Sequence, residues 1–167
     1  MASDARSAET ASWKSRSAEE TERIGAALAK TLLEGDVLAL TGPLGAGKTR
    51  LVAGIARGLG WNGDVRSPTF TLINEYHGRR MLVHADLYRV ESIEAHGLGL
   101  DEYLERAIVV VEWGEKLPRS FLDGALRLEI EPVSETERVL TAHGAAGARA
   151  GEWLRACERE IGTAAGA

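Results

Sequence analysis

Apolar positions along the chain fall into three patterns, and each predicts a different element. Ile24, Leu28 and Leu32 recur every fourth residue behind Ser17 and Glu20, which match a capping box. An amphipathic helix is therefore predicted over 18–34, ended by Gly35 and Asp36. VLALT at 37–41 is an uninterrupted apolar run, as a strand buried on both faces requires. AIVVVEW at 107–113 is a second such run. Leu51, Val52, Ile55, Ala56 and Leu59 repeat at helical spacing, with Gly58 and Gly60 closing that helix. TFTLINEY at 69–76 and MLVHAD at 81–86 flank the turn HGRR and predict a hairpin or meander. Short helical pieces are predicted over 92–105. ALRLEIEP and ERVLTAH alternate apolar with polar, which predicts half-exposed antiparallel strands. Trp153, Leu154, Cys157 and Ile161 share one face of a final helix, followed by a flexible tail, GTAAGA.

This order of elements is α/β: a mixed sheet with a parallel centre, an antiparallel portion and helices on both faces. One domain is expected over 17–146. A frayed segment, rich in Ser, Ala and charge, precedes it at 1–16, and a helix and tail follow at 147–167.

Composition narrows the function. The 167 residues suit one domain with a real core. No apolar run approaches the roughly 20 residues of a membrane span, and the N-terminus has no apolar signal region. Cys157 is the lone cysteine and the four histidines are scattered, which argues against a disulfide, a thiolate cage or a zinc site. The cytosol is the expected compartment. With a net charge of −5 and no basic stripe, any contact with nucleic acid is expected to run through a partner.

Chemistry concentrates between 42 and 49, where GPLGAGKT fits the phosphate-loop pattern G-x-x-x-x-G-K-[ST] between a buried strand and an amphipathic helix. Glycine at 45 and 47 permits backbone conformations closed to other residues, so successive N–H groups can turn inward around an anion. The following helix adds its unpaired N–H groups. Gly42, Leu44, Gly45, Ala46, Gly47, Lys48 and Thr49 are thus the predicted cradle of a nucleoside triphosphate. In it Lys48 meets the outer phosphates and the Thr49 hydroxyl reaches Mg²⁺. Hydrolysis or transfer also needs acids, and apolar strands end at Asp86 and at Glu112. One carboxylate beside Thr49 suffices for the metal, leaving the other to work through water. Ser67 and Thr69 in SPTF are candidates for a switch that senses the γ-phosphate, or simply open a strand. His84 reads as a core histidine and Trp113 as a core or platform aromatic.

Signatures of neighbouring classes are missing: neither N-K-x-D nor D-x-x-G of a GTPase occurs, nor the SGGQ-type motif of a transporter ATPase. A small-molecule kinase stays open, as does a nucleotide-dependent binding module without useful hydrolysis.

GPLGAGKT, SPTFTLINEY, HADLYR and VVVEWGEKL stand in the order and approximate spacing of the bacterial TsaE (YjeE) family, which the chain resembles over about 17–143. That resemblance implies a P-loop ATPase fold binding ATP or ADP with Mg²⁺, and weak hydrolysis raised by partners. It implies work with the TsaB and TsaD proteins in making tRNA threonylcarbamoyladenosine. There TsaD transfers the threonylcarbamoyl group, the ATPase resets the complex, and tRNA is met only through that complex. It further implies Thr49 and Glu112 as Mg²⁺ ligands, Asp86 and Lys48 as catalytic, and Arg138, Thr21 and Glu22 as candidates near the base or ribose. Whether Arg66, Arg89 or a partner supplies a transition-state cation is left open. Pro43 and Arg50 depart from the family's usual Asp and Thr, without removing a phosphate donor.

Overall fold

The computed structural model describes residues 9–91, 98–144 and 148–165. Seven strands form one sheet in the order β1-β7-β6-β2-β5-β4-β3. They are β1 (Glu9–Ser15), β2 (Val37–Thr41), β3 (Ile73–His77), β4 (Met81–Asp86), β5 (Ile108–Glu112), β6 (Leu126–Pro132) and β7 (Arg138–Gly144). The four central strands β6, β2, β5 and β4 run parallel, and β7, β1 and β3 add antiparallel edges. The helices are α1 (Ala18–Ala29), α2 (Lys48–Gly58), α3 (Arg119–Leu122) and α4 (Ala148–Ala165).

Strand alternation sorts the apolar residues into two layers. Leu38 and Leu40, Ile108 and Val110, and Leu82 join α1, α2 and α4 on one side of the sheet. Val37 and Ala39, Val109 and Val111, and Val83 and Ala85 face the other side. The packed cover there includes Leu100, in a 3-10 turn, Leu117 and Phe121 of α3. Both faces of β2 and β5 are buried, which is why those strands read as unbroken apolar runs.

α1 begins as its sequence predicts, with the Glu20 amide donating to the Ser17 hydroxyl at 3.0 Å. The Glu20 carboxylate reaches back to the Arg16 amide at 2.9 Å. It lies on α2 through glycines: a methyl group at Gly25 would collide with the Leu51 carbonyl, and one at Gly54 with the Glu22 carbonyl. That close approach fixes the helix carrying Lys48 and Thr49.

Several expectations need correction. Residues 9–15, expected to fray, form β1, paired with β7 along its whole length. β6 is antiparallel to β7 but parallel to β2. Residues 69–72 turn over the sheet edge instead of extending β3, with Leu72 in the left-handed region at φ 70°. Residues 162–165, expected in a flexible tail, continue α4. The predictions for 1–8, 92–97, 145–147 and 166–167 fall outside the described residues. Among the described residues no helix is long and apolar enough to cross a membrane.

Candidate nucleotide site

The parallel strands set the site. Register opposes Leu40 to Glu112 and Asp86 to Glu112, so the loop after β2 and both acids emerge together at the C-terminal ends of adjacent strands. Open α/β sheets place their ligand crevices there. A cleft of about 410 Å³ opens at this edge, lined by Leu44, Gly45, Ala46, Gly47, Lys48 and Thr49 together with Ser67, Thr69, Asp86 and Glu112. Of the residues predicted for the phosphates, the metal and catalysis, all but Gly42 line it. Gly42 instead lies beneath the loop, where a side chain would strike the Ile130 carbonyl.

Gly45 and Gly47 adopt φ of 79° and 103°, the left-handed geometry that turns amides inward. Between Leu44 and Gly47 only the Ala46 amide makes a backbone hydrogen bond among the described residues, to the Pro43 carbonyl at 3.1 Å. The Lys48 ammonium donates to the carbonyls of Gly42 (2.5 Å) and Pro43 (3.1 Å) and lies 4.2 Å from the centre of the Trp113 ring. Burial lowers the Lys48 pKa, opposed in part by Glu112, Glu115 and Asp86. Trp113 reaches the ammonium because its backbone is left-handed, φ 58°, turning the chain sharply after β5.

Each acid is held. The Thr49 hydroxyl donates to Glu112 at 3.1 and 3.2 Å from its two oxygens. Asp86 accepts from the Ser67 hydroxyl (2.9 Å), the Thr69 hydroxyl (3.2 Å) and the Tyr88 amide (2.8 Å). This donor set, a hydroxyl and two carboxylates around a glycine loop, fits a hard cation whose remaining ligands are phosphate and water oxygens.

Residues given less weight from sequence stand differently. His84 is fully buried, and its Nε2 meets Glu112 Oε2 at 2.5 Å. The signal for it was present: His84 precedes Asp86 by two, so alternation puts both on one sheet face. Arg50 lines the cleft and pairs with Glu22 at 2.9 Å. Thr21 is buried, bonded to the Ser17 carbonyl and the Ser15 hydroxyl, and Glu22 bridges Arg50 and Arg57. Neither therefore lines the cleft. Arg138 does approach the loop, its guanidinium occupying the space where a Gly47 side chain would go. Arg66 lines a separate cleft beside α2, and Arg89 stacks on Phe70 at 4.7 Å.

A model of the threonylcarbamoyl adenosine biosynthesis protein TsaE matches residues 15–140. The chain belongs to the TsaE family. A TsaE of Treponema pallidum is 39% identical over 129 residues, covering 76% of this chain and 96% of the relative. A TsaE of Bacillus subtilis is 41% identical over 131 residues, 77% of this chain and 82% of its own. The crystal structure of Bacillus subtilis YdiB superposes with a TM-score of 0.75 at 35% identity, covering 91% of this chain and 96% of that one. The fold is accordingly the P-loop fold of the TsaE family, and α4 lies C-terminal to the matched residues.

Proposed function

We propose that the chain binds ATP with Mg²⁺ in the 42–49 loop, hydrolyses it slowly, and acts with TsaB and TsaD in making tRNA threonylcarbamoyladenosine. One observation carries this reading: a phosphate loop, a metal-type hydroxyl and carboxylate, a second acid and two switch-type hydroxyls line one cleft. Mg²⁺, when bound, supplies charge neutralisation to the phosphate oxygens. Lys48 leaves the Gly42 and Pro43 carbonyls to pair with phosphate. Thr49 and Glu112 hold the metal side of the cleft. Asp86 orients the attacking water, and Ser67 and Thr69, now on Asp86, respond to the γ-phosphate.

Dependence on a partner has two supports. Among the described residues the cleft-lining arginine, Arg50, is already engaged by Glu22, so a transition-state cation is best supplied in trans. Apolar side chains also surround the opening: Leu44 is 72% exposed and Tyr88 42%, while Phe70, beside Thr69, is 83% exposed. Such exposure at a cleft mouth suits a protein surface. The net charge of −5 keeps tRNA an indirect partner.

Phosphate release measured alone and with TsaB–TsaD tests the proposal. We expect a turnover of about 10⁻⁴ to 10⁻² per second alone, raised at least about tenfold by the pair. Fast hydrolysis indifferent to them overturns it. Transfer of phosphate to small hydroxyl compounds would instead favour a kinase.

A further inference from the structure

We propose that His84 is a positioning residue that fixes which oxygen of Glu112 faces the metal side of the cleft. This deepens the proposed function and rests on its reading of Glu112. His84 and Glu112 come from neighbouring parallel strands, β4 and β5, with His84 in register with Val110. Glu112 is thus its diagonal neighbour on the same face, within reach of a long side chain. Both residues are buried, His84 fully and Glu112 to 4% exposure.

The partners decide the tautomer. Nδ1 of His84 is buried with no hydrogen-bond partner among the described residues, whereas Nε2 lies 2.5 Å from Glu112 Oε2. The proton therefore belongs on Nε2, which donates to the carboxylate. The Thr49 hydroxyl lies 3.1 Å from Oε1 and 3.2 Å from Oε2, so the His84 bond to Oε2 alone is what leaves Oε1 the less committed oxygen. Without that bond the carboxylate could rotate and offer either oxygen, and would lose that freedom on binding. The imidazole itself is held by strand packing and by the Tyr76 ring, centroids 6.2 Å apart. Partners of this kind commonly change metal affinity or activity about 10–100-fold when removed.

A bland alternative is that His84 merely satisfies a buried carboxylate. Two amide variants separate the readings, because both stay polar at the same buried position. His84→Gln carries its amide nitrogen near the Nε2 position and can still donate to Glu112. His84→Asn stops short. Calorimetric titration with ADP, with and without magnesium, gives a readout independent of turnover, and melting curves fix conditions in which each variant is folded. We expect the Asn variant to lose about tenfold of the magnesium-dependent gain in ADP affinity. The Gln variant should stay within about threefold of wild type, with magnesium-free affinity equal in all three. Equal losses in both variants, or a full gain in the Asn variant, overturn the role of His84 alone. A wild type with no magnesium-dependent gain overturns the proposed function as well.

Discussion

At the scale of single residues, Asp86 has the most informative surroundings. Among the described residues its carboxylate takes three hydrogen bonds, from two hydroxyls and one amide, and none from a cation. Asparagine can reproduce that arrangement: its oxygen accepts from the Tyr88 amide, and the hydroxyls of Ser67 and Thr69 rotate to accept from its NH₂. Asp86→Asn should therefore fold normally and keep ADP affinity within a few-fold. Its turnover should drop by about 10² or more, the range for a lost acid or base. Calorimetry beside a phosphate-release assay checks this. Undiminished turnover would remove Asp86 from the catalytic role proposed for it. Asp86 was legible because an apolar strand delivers it to the sheet edge. The role of His84 was harder to read, because its meaning depends on a carboxylate 28 residues away on the next strand.

At the scale of elements, the glycine contacts between α1 and α2 make a prediction opposite to helix propensity. Alanine normally favours an exposed helical site over glycine by about 1 kcal/mol. At Gly54 the added methyl meets the Glu22 carbonyl, which cannot move without shifting α1. Overpacking of this kind costs about 1–3 kcal/mol, and backbone against backbone belongs at the upper end. Gly54→Ala should thus lower stability by about 1–2 kcal/mol net and weaken ADP binding, since α2 carries Lys48 and Thr49. At Gly162 of α4 an added Cβ would meet nothing within 4 Å. Gly162→Ala should raise stability by a few tenths to about 1 kcal/mol. Urea denaturation of both variants reads the two signs. The helices themselves were plain in sequence because apolar spacing marks them. α4 declared its buried face through Trp153, Leu154, Cys157 and Ile161, although its anchors, Trp153 to the Thr31 hydroxyl at 3.0 Å and Arg149 to Asp36, could not be read.

At the scale of the whole molecule, β1 shows where sequence patterning stops. Ala11, Trp13 and Ser15 point inward while Thr10, Ser12 and Lys14 are exposed, a proper strand alternation. The inward set is one alanine, one tryptophan and one serine, so the apolar signal is weak and the segment reads as polar coil. Its order comes from a distant partner: seven residues pair with β7, from Glu9 with Gly144 to Ser15 with Arg138. The central sheet was legible for the opposite reason, since strands buried on both faces announce themselves. Deleting residues 1–15 separates the two views. A frayed segment could be removed without effect. A strand that packs Trp13 on the core and covers β7 should take about 3 kcal/mol or more with it, from one large side chain and several ladder hydrogen bonds. The loss should appear as a lower urea midpoint, and light scattering should rise as the uncovered edge of β7 pairs with other chains. ADP affinity should fall too, because Arg138, which pairs with Ser15, also places its guanidinium against Gly47. An unchanged midpoint with unchanged scattering would return residues 9–15 to the frayed state that their composition suggests.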